Sequence, residues 1–150
     1  RTPDANQGVS MAIQGIKMGT DASHIFKALV EATAFGSKAI TDCFTQQGVP
    51  VESIVVIGGI SKKSDYVMQT CADIWNCQID VLKSEQSCAL GAAIFASVAA
   101  GVFASVSEAQ KVLASPVYKS YQPKPQRVAV YAQLYAKYQA LGRYENGDAA

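Results

Sequence analysis

The chain has 150 residues, 49% of them hydrophobic, with 13 basic and 12 acidic side chains and a net charge of +1. This size and composition suit one globular domain with its own core and exclude a disordered tail. The basic residues are scattered rather than gathered in a stripe, which argues against nucleic-acid binding. No apolar run reaches membrane-spanning length and a signal peptide is absent, so we expect a cytoplasmic protein with no membrane contact.

The cysteines and the histidine give little support for a metal site. Cys43, Cys71, Cys77 and Cys88 form no C-x-x-C pair, and the only histidine is His24. Zinc binding and Cys/His nucleophilic catalysis therefore have poor support. We expect the cysteines to be buried free thiols.

The first half of the chain predicts a strand, a long helix and a second strand. Residues 9–16 alternate apolar and polar side chains, as a strand does. Thr20-Asp21-Ala22-Ser23 offers N-cap residues for a helix over 22–47, which ends at Gly48-Val49-Pro50. Residues 53–57 are a short β-branched run, typical of a strand buried on both faces.

The second half predicts helix 64–76, strand 78–82, helix 87–100, helix 105–113, an extended connection over 115–126 and helix 126–144. Ser105 and Glu108 have the spacing of a capping box. Three prolines predict that 115–126 is an extended surface connection, and we expect the tyrosines of the last helix to pack in the core.

The order of these elements predicts an α/β layered sheet with crossover connections. In such sheets, ligands bind beyond the carboxyl ends of the strands. That rule puts Gly58-Gly59 and the loop Lys83–Glu85 on the same rim, which is the best candidate site in the sequence.

Gly58 and Gly59 allow two interpretations. Glycines lack a Cβ, so the backbone can approach a ligand closely or adopt a positive φ. A helix starting near Ser64 would aim its free N–H groups at an anion over the glycines, for which a nucleotide phosphate is the commonest choice. The alternative is a tight turn without a ligand.

Six short motifs follow one another along the chain: Arg1-Thr2-Pro3, Gly15-Ile16, His24-Ile25-x-x-Ala28-Leu29-Val30-Glu31, Gly58-Gly59-Ile60-x-Lys62-Lys63-Ser64, Met68-Gln69-x-x-Ala72-Asp73 and Glu85-Gln86-x-x-Ala89-Leu90-Gly91-Ala92-Ala93. In this order they resemble the carboxy-terminal domain of the FGGY family of carbohydrate kinases. The resemblance covers nearly the whole chain and is greatest to the bacterial members that phosphorylate L-ribulose in arabinose catabolism.

The resemblance implies an actin-like (ribonuclease H-like) ATPase domain with three layers, α/β/α. It implies transfer of the γ-phosphoryl group of Mg-ATP to a sugar hydroxyl, giving the 5-phosphate of L-ribulose or a related ketopentose. In this family the active site lies in a cleft between two such domains, and the carboxy-terminal domain mainly holds the nucleotide. ATP, Mg²⁺, the sugar and an amino-terminal domain are thus the implied cofactors and partners, and we expect a homo-oligomer.

The resemblance also implies which residues touch the nucleotide. Gly58 and Gly59 match a glycine pair that lies against it, and the following residues, Ile60 to Ser64, lie near the adenosine, with Lys62, Lys63 or Ser64 as the candidate contacts. The catalytic aspartate and most sugar contacts belong to the amino-terminal domain, so we assign no catalytic or metal-binding residue here. For Asp4, Glu31, Asp73 and Glu85, we favour structural roles over contacts with Mg²⁺ or substrate.

The chain begins at Arg1 rather than at methionine, so we expect residues 1–150 to be a fragment of that domain, inactive alone. The first strands of the domain would then be missing, which leaves unpaired strand edges and predicts self-association or rearrangement. Two alternatives stay open: a non-catalytic actin-like module that binds a nucleotide or a partner, and an α/β packing domain without a ligand.

Overall fold

The computed structural model describes residue 8 and residues 10–146. In that part of the chain the elements are α1 (Ala22–Gln46), β1 (Ile54–Val56), α2 (Gly59–Lys63), α3 (Asp65–Trp75), β2 (Ile79–Leu82), α4 (Ser87–Ala99), α5 (Val106–Leu113), β3 (Val117–Tyr121) and α6 (Pro125–Asn146). The predicted α/β class is confirmed, and no helix among these is both long and apolar enough to cross a bilayer. The chain divides into two compact units.

One unit, Ser53–Met68 with Gln78–Tyr121, is built around a three-stranded sheet in the order β1-β2-β3. β1 and β2 are parallel, with Ile54 opposite Ile79, whereas β2 and β3 are antiparallel. β2 is therefore the central strand, and the side chains of Ile79 and Val81 are completely shielded from solvent. Burial of these two β-branched side chains stabilises the sheet by the hydrophobic effect.

The extended connection predicted over 115–126 is wrong in one respect, because it contains β3. The prolines Pro116 and Pro123 flank this strand rather than interrupt it, so its backbone N–H groups can still pair with β2. Four of its five residues are exposed and only Tyr121 is buried, so the strand lacks the apolar pattern by which strands are recognised.

The strand predicted over 9–16 is also wrong. Residues 10–16 have no regular secondary structure, and Val9 lies outside the described residues. Gly15 has a φ of +85°, and Met11 and Ile16 are exposed. An extended segment becomes a strand only when a neighbour pairs with its backbone, and no described segment does so here.

β1 forms an edge of the sheet, so the prediction of a strand buried on both faces is wrong. Val55 and Ile57 at this edge are 56% and 48% exposed. An edge of this kind can pair with another strand. Self-association of the chain stays a prediction.

The capping box predicted for the short helix α5 is formed only in part, because the Glu108 side chain accepts from the backbone N–H of Ala104 and not from that of the N-cap residue Ser105. Ser105 Oγ accepts a hydrogen bond from the Glu108 N–H at 3.2 Å, and Glu108 Oε2 accepts one from the Ala104 N–H at 3.0 Å. These contacts satisfy backbone donors at the start of the helix, which explains why it begins at Val106.

The other unit comprises the described residues of Arg1–Glu52, Gln69–Cys77 and Gln122–Ala150. α1 begins at Ala22 because the Asp21 carboxylate accepts a hydrogen bond from the His24 N–H. Its buried Phe35 packs against Tyr131 and Tyr135 of α6, with ring centroids 6.3 and 5.6 Å apart. The packing role expected of the tyrosines in the last helix is confirmed for Tyr131 and Tyr135, whereas Tyr144 is exposed.

A buried carboxylate joins the start of α6 to α3 within this unit. Asp73, fully shielded from solvent, accepts hydrogen bonds at Oδ1 from Gln69 Nε2 and from the Lys124 backbone N–H, at 2.9 and 2.8 Å. Arg127 Nε lies 3.2 Å from Oδ2 and supplies the opposite charge. A buried charge needs such partners, because its desolvation is otherwise costly.

The cysteines are free thiols, as expected, but only Cys71 is buried. Cys43 and Cys77 are half-buried and Cys88 is exposed. The prediction that all four are buried is therefore wrong, because α4 presents Cys88 to solvent. Burial raises the pKa of the Cys71 thiol to about 11.

We predict that iodoacetamide at pH 8 labels Cys88 before Cys71. At that pH a thiol with a pKa of about 11 is ionised in roughly one molecule in a thousand, and the thiolate is the reactive form. Mass spectrometry of timed digests measures the labelling of each cysteine, and urea-denatured protein serves as the control. Equal labelling rates at the two positions in the folded protein would contradict this burial.

Candidate functional site

The candidate site is the segment Gly58–Ser64, which connects β1 to α3 and is called the glycine turn below. Gly58 has φ +101° and ψ 170°, a conformation that side-chain-bearing residues rarely adopt. At Gly59, a Cβ would meet no heavy atom within 4 Å, so open space adjoins its backbone. The first glycine is needed for the conformation, and the second leaves room for a ligand against the main chain.

A buried serine fixes the shape of the glycine turn. Ser61, 3% exposed, donates a hydrogen bond from Oγ to the Gly58 carbonyl at 2.7 Å. The Ser64 N–H donates to the Ile60 carbonyl at 3.2 Å and closes one helical turn. No structural role was predicted for Ser61, although a serine hydroxyl often bonds to the carbonyl three or four residues earlier in the chain.

This helical turn, α2, corrects the predicted position of the helix N-terminus. The N–H groups that directly follow Gly58 belong to the five-residue α2 and not to a helix starting near Ser64. Ser64 instead caps α3, since its Oγ accepts a hydrogen bond from the Val67 N–H at 3.3 Å. Its hydroxyl thereby serves the start of α3.

Lys62 links the glycine turn to the loop after β2. Its ammonium group donates a hydrogen bond to the Lys83 carbonyl and lies 3.6 Å from Glu85 Oε1. β1 and β2 are parallel, so the segments that follow them start at the same edge of the sheet. The prediction that the glycine pair and the loop Lys83–Glu85 share one rim is confirmed.

The two neighbouring lysines of the glycine turn therefore differ. Lys62 is half-buried and engaged by the loop after β2, whereas Lys63 is exposed. No hydrogen bond or ion pair occupies the Lys63 ammonium group among the described residues. Ile60 is also exposed, at 57%. Lys63 is thus the cation of this turn available to an anionic ligand.

Directly after the glycine turn, Asp65 accepts two hydrogen bonds from β3. Lys119 Nζ and Tyr121 Oη each lie 2.7 Å from a carboxylate oxygen of Asp65. The hydrogen bond from Lys119, followed by that from Tyr121, lowers the pKa of Asp65 below its ordinary value. The Asp65 hydrogen bond raises the pKa of Lys119. Both groups are therefore charged at neutral pH.

The acidic residues of the sequence motifs have structural partners. Glu31 accepts a hydrogen bond from the Tyr131 hydroxyl at 3.0 Å, Asp73 is held as described above, and Glu85 faces Lys62. Asp4 lies outside the described residues. Among the residues that the structure describes, no three His, Cys, Asp or Glu side chains gather in a way that could hold a metal ion.

We predict that Lys62→Met speeds hydrogen exchange of the backbone amides of residues 59–64 by about fivefold, as expected when a charged hydrogen bond worth roughly 1 kcal/mol is lost. Lys63→Met is the matched control and should leave these rates unchanged, since Lys63 has no described partner. Exchange measured by mass spectrometry that is equally fast in both variants and the parent would mean that Lys62 does not hold the turn.

Comparison with known proteins agrees with the fold. The family model described as "FGGY family of carbohydrate kinases, C-terminal domain" matches residues 1–100. A ribulokinase of Vibrio parahaemolyticus is 53% identical over 144 residues, which cover 96% of this chain and 25% of the relative. The chain therefore spans about a quarter of the length of this curated relative.

Solved structures resemble the chain as a whole. The ligand-bound xylulose kinase of Lactobacillus acidophilus has a TM-score of 0.79 at 27% identity, over 89% of this chain and 26% of that one. The glycerol kinase of Plasmodium falciparum, solved with ADP, has a TM-score of 0.75 at 25% identity, over 95% of this chain and 28% of that one. These similarities confirm the actin-like ATPase fold, and with the sequence match they show that the chain belongs to the FGGY family of carbohydrate kinases.

Proposed function

We propose that this chain is the nucleotide-holding part of an ATP-dependent kinase that phosphorylates L-ribulose or a related ketopentose at its 5-hydroxyl. The observation that carries the proposal is the open backbone at Gly58 and Gly59, in a chain of the carbohydrate kinase family. The 53% sequence identity with a ribulokinase supports the choice of sugar. The similarity to a glycerol kinase solved with ADP supports an adenine nucleotide as the ligand.

Within the glycine turn, we assign different roles to the residues predicted from the sequence. The backbone of Gly58, Gly59 and Ile60 lies against the nucleotide, where the lack of Cβ atoms at the two glycines leaves room. Lys63 offers the free positive charge. Lys62 and Ser64 act indirectly, because one holds the loop after β2 and the other caps α3.

In this proposal the chain binds and orients, and the reacting groups come from elsewhere. Bound Mg-ATP supplies the transferable phosphoryl group, and phosphoryl transfer depends chiefly on positioning and on charge stabilisation. The fixed shape of the glycine turn suits this task, since Gly58, Ser61 and Lys62 are each held by contacts within the unit. We propose that the rest of a longer, cytoplasmic, oligomeric protein holds the sugar, the catalytic base and Mg²⁺.

We predict that Gly59→Val in the full-length protein weakens ADP binding at least tenfold. The open space beside Gly59 accepts the new side chain without a clash, so the protein folds, but the side chain occupies the place of the ligand. Titration calorimetry measures the dissociation constant. Gly142→Val in α6, where a Cβ also meets no atom within 4 Å, is the control. Unchanged affinity in Gly59→Val would mean that the glycine pair is only a turn.

We predict that the full-length protein releases ADP fastest with L-ribulose, compared with D-xylulose and glycerol at equal concentrations. A coupled assay of ADP release measures the rates, and protein without a sugar acceptor gives the background. Tight ADP binding without phosphorylation of any acceptor would instead identify a non-catalytic actin-like module. A higher rate with D-xylulose or glycerol would contradict the assignment of the acceptor.

A further inference from the structure

β3 presents two side chains to the single carboxylate that follows the glycine turn. In a strand, alternate residues share a face, so Lys119 and Tyr121 lie on the same side of β3. Lys119 Nζ binds Asp65 Oδ2 and the Tyr121 hydroxyl binds Asp65 Oδ1, each at 2.7 Å. Both oxygens of the carboxylate are thus occupied by donors from one strand.

The position of Asp65 connects the cluster of Asp65, Lys119 and Tyr121 to the glycine turn. Asp65 is the first residue of α3 and directly follows Ser64, the last residue of the turn. Its side chain ties the first residue of α3 to β3 within this unit, at the point where the backbone leaves the turn. A displacement of Asp65 would therefore move Lys63 and Ser64 with it.

The two donors, Lys119 and Tyr121, lie on a strand that is paired with the centre of the sheet. β3 pairs with the central strand β2, where Tyr121 is opposite Ile79 and Lys119 is opposite Val81. Tyr121 is 5% exposed, whereas the remaining residues of β3 are exposed. The Lys119 ammonium group also lies 5.0 Å from the centre of the Tyr121 ring, which favours the cation electrostatically. The donors are thus fixed to the sheet, and Asp65 is held by them.

We propose that Lys119 and Tyr121 are positioning residues for nucleotide binding, which act through Asp65 to hold the exit of the glycine turn. This inference rests on the proposed function, because it needs the nucleotide at that turn. Both residues lie beyond residues 1–100, the part that the family model matches. They touch no ligand in this proposal and act on the shape of the backbone alone.

A simpler role would be to fasten β3 to α3 without any effect on the ligand. The two roles differ in what they change. Fastening alone alters thermal stability and leaves the affinity for nucleotide intact, whereas positioning alters the affinity for nucleotide and leaves that for the sugar intact. Because Lys119 and Asp65 act as one pair, positioning also requires that their substitutions are not additive.

The test uses the full-length protein with Lys119→Met, Lys119→Arg, Asp65→Asn and the double variant with Met at 119 and Asn at 65. Lys111→Met, at an exposed lysine of α5 in the same unit, is the control. We expect Lys119→Met to raise the ADP dissociation constant and the KM for ATP about threefold, the size of effect that an exposed ion pair commonly gives. The KM for L-ribulose should not change.

Lys119→Arg should restore the affinity, and the double variant should bind ADP no more weakly than the weaker single variant. The control should match the parent. Unchanged ADP affinity in Lys119→Met, with or without a lower melting temperature, overturns the positioning role, while the proposed function stands if Gly59→Val still weakens binding. Additive effects of Lys119→Met and Asp65→Asn on the free energy of ADP binding overturn the positioning role as well.

Discussion

The parallel pairing of β1 with β2 is the constraint on which the candidate site depends. Because the two strands run in the same direction, with Ile54 opposite Ile79, the segments that follow them emerge at one edge. Lys62 can then reach the Lys83 carbonyl, 21 residues away in sequence. The burial of Ile79 in the central strand keeps this register, since a shift by one residue would turn it to the opposite face.

Most elements could be predicted because their signals are local. Asp21 marks the start of α1, Ser105 and Glu108 mark that of α5, and the β-branched run before Gly58 marks β1. β3 could not be predicted, since an exposed edge strand between prolines has neither an apolar pattern nor a local cap. Residues 10–16 had the pattern of a strand but no neighbour to pair with.

At the candidate site, too, the features set by single residues could be predicted and those set by distant contacts could not. The sequence alone could nominate Gly58 and Gly59 as candidates, because the steric freedom of glycine is a property of the residue itself. It could not separate Lys62 from Lys63, since that difference depends on Glu85 and on a main-chain carbonyl of another loop. It also could not single out Asp65, whose two hydrogen-bond donors lie on β3, an element the sequence did not reveal.

In the unit that contains α6, Asp73 accepts one of its hydrogen bonds from the main chain of Lys124 and not from the lysine side chain. The segment reads Pro123-Lys124-Pro125, and proline has no amide hydrogen, so residue 124 carries the single N–H of these three positions. This contact therefore sets no requirement on the side chain of residue 124, provided that the residue has an amide hydrogen. Only a third consecutive proline would strip the carboxylate of this donor.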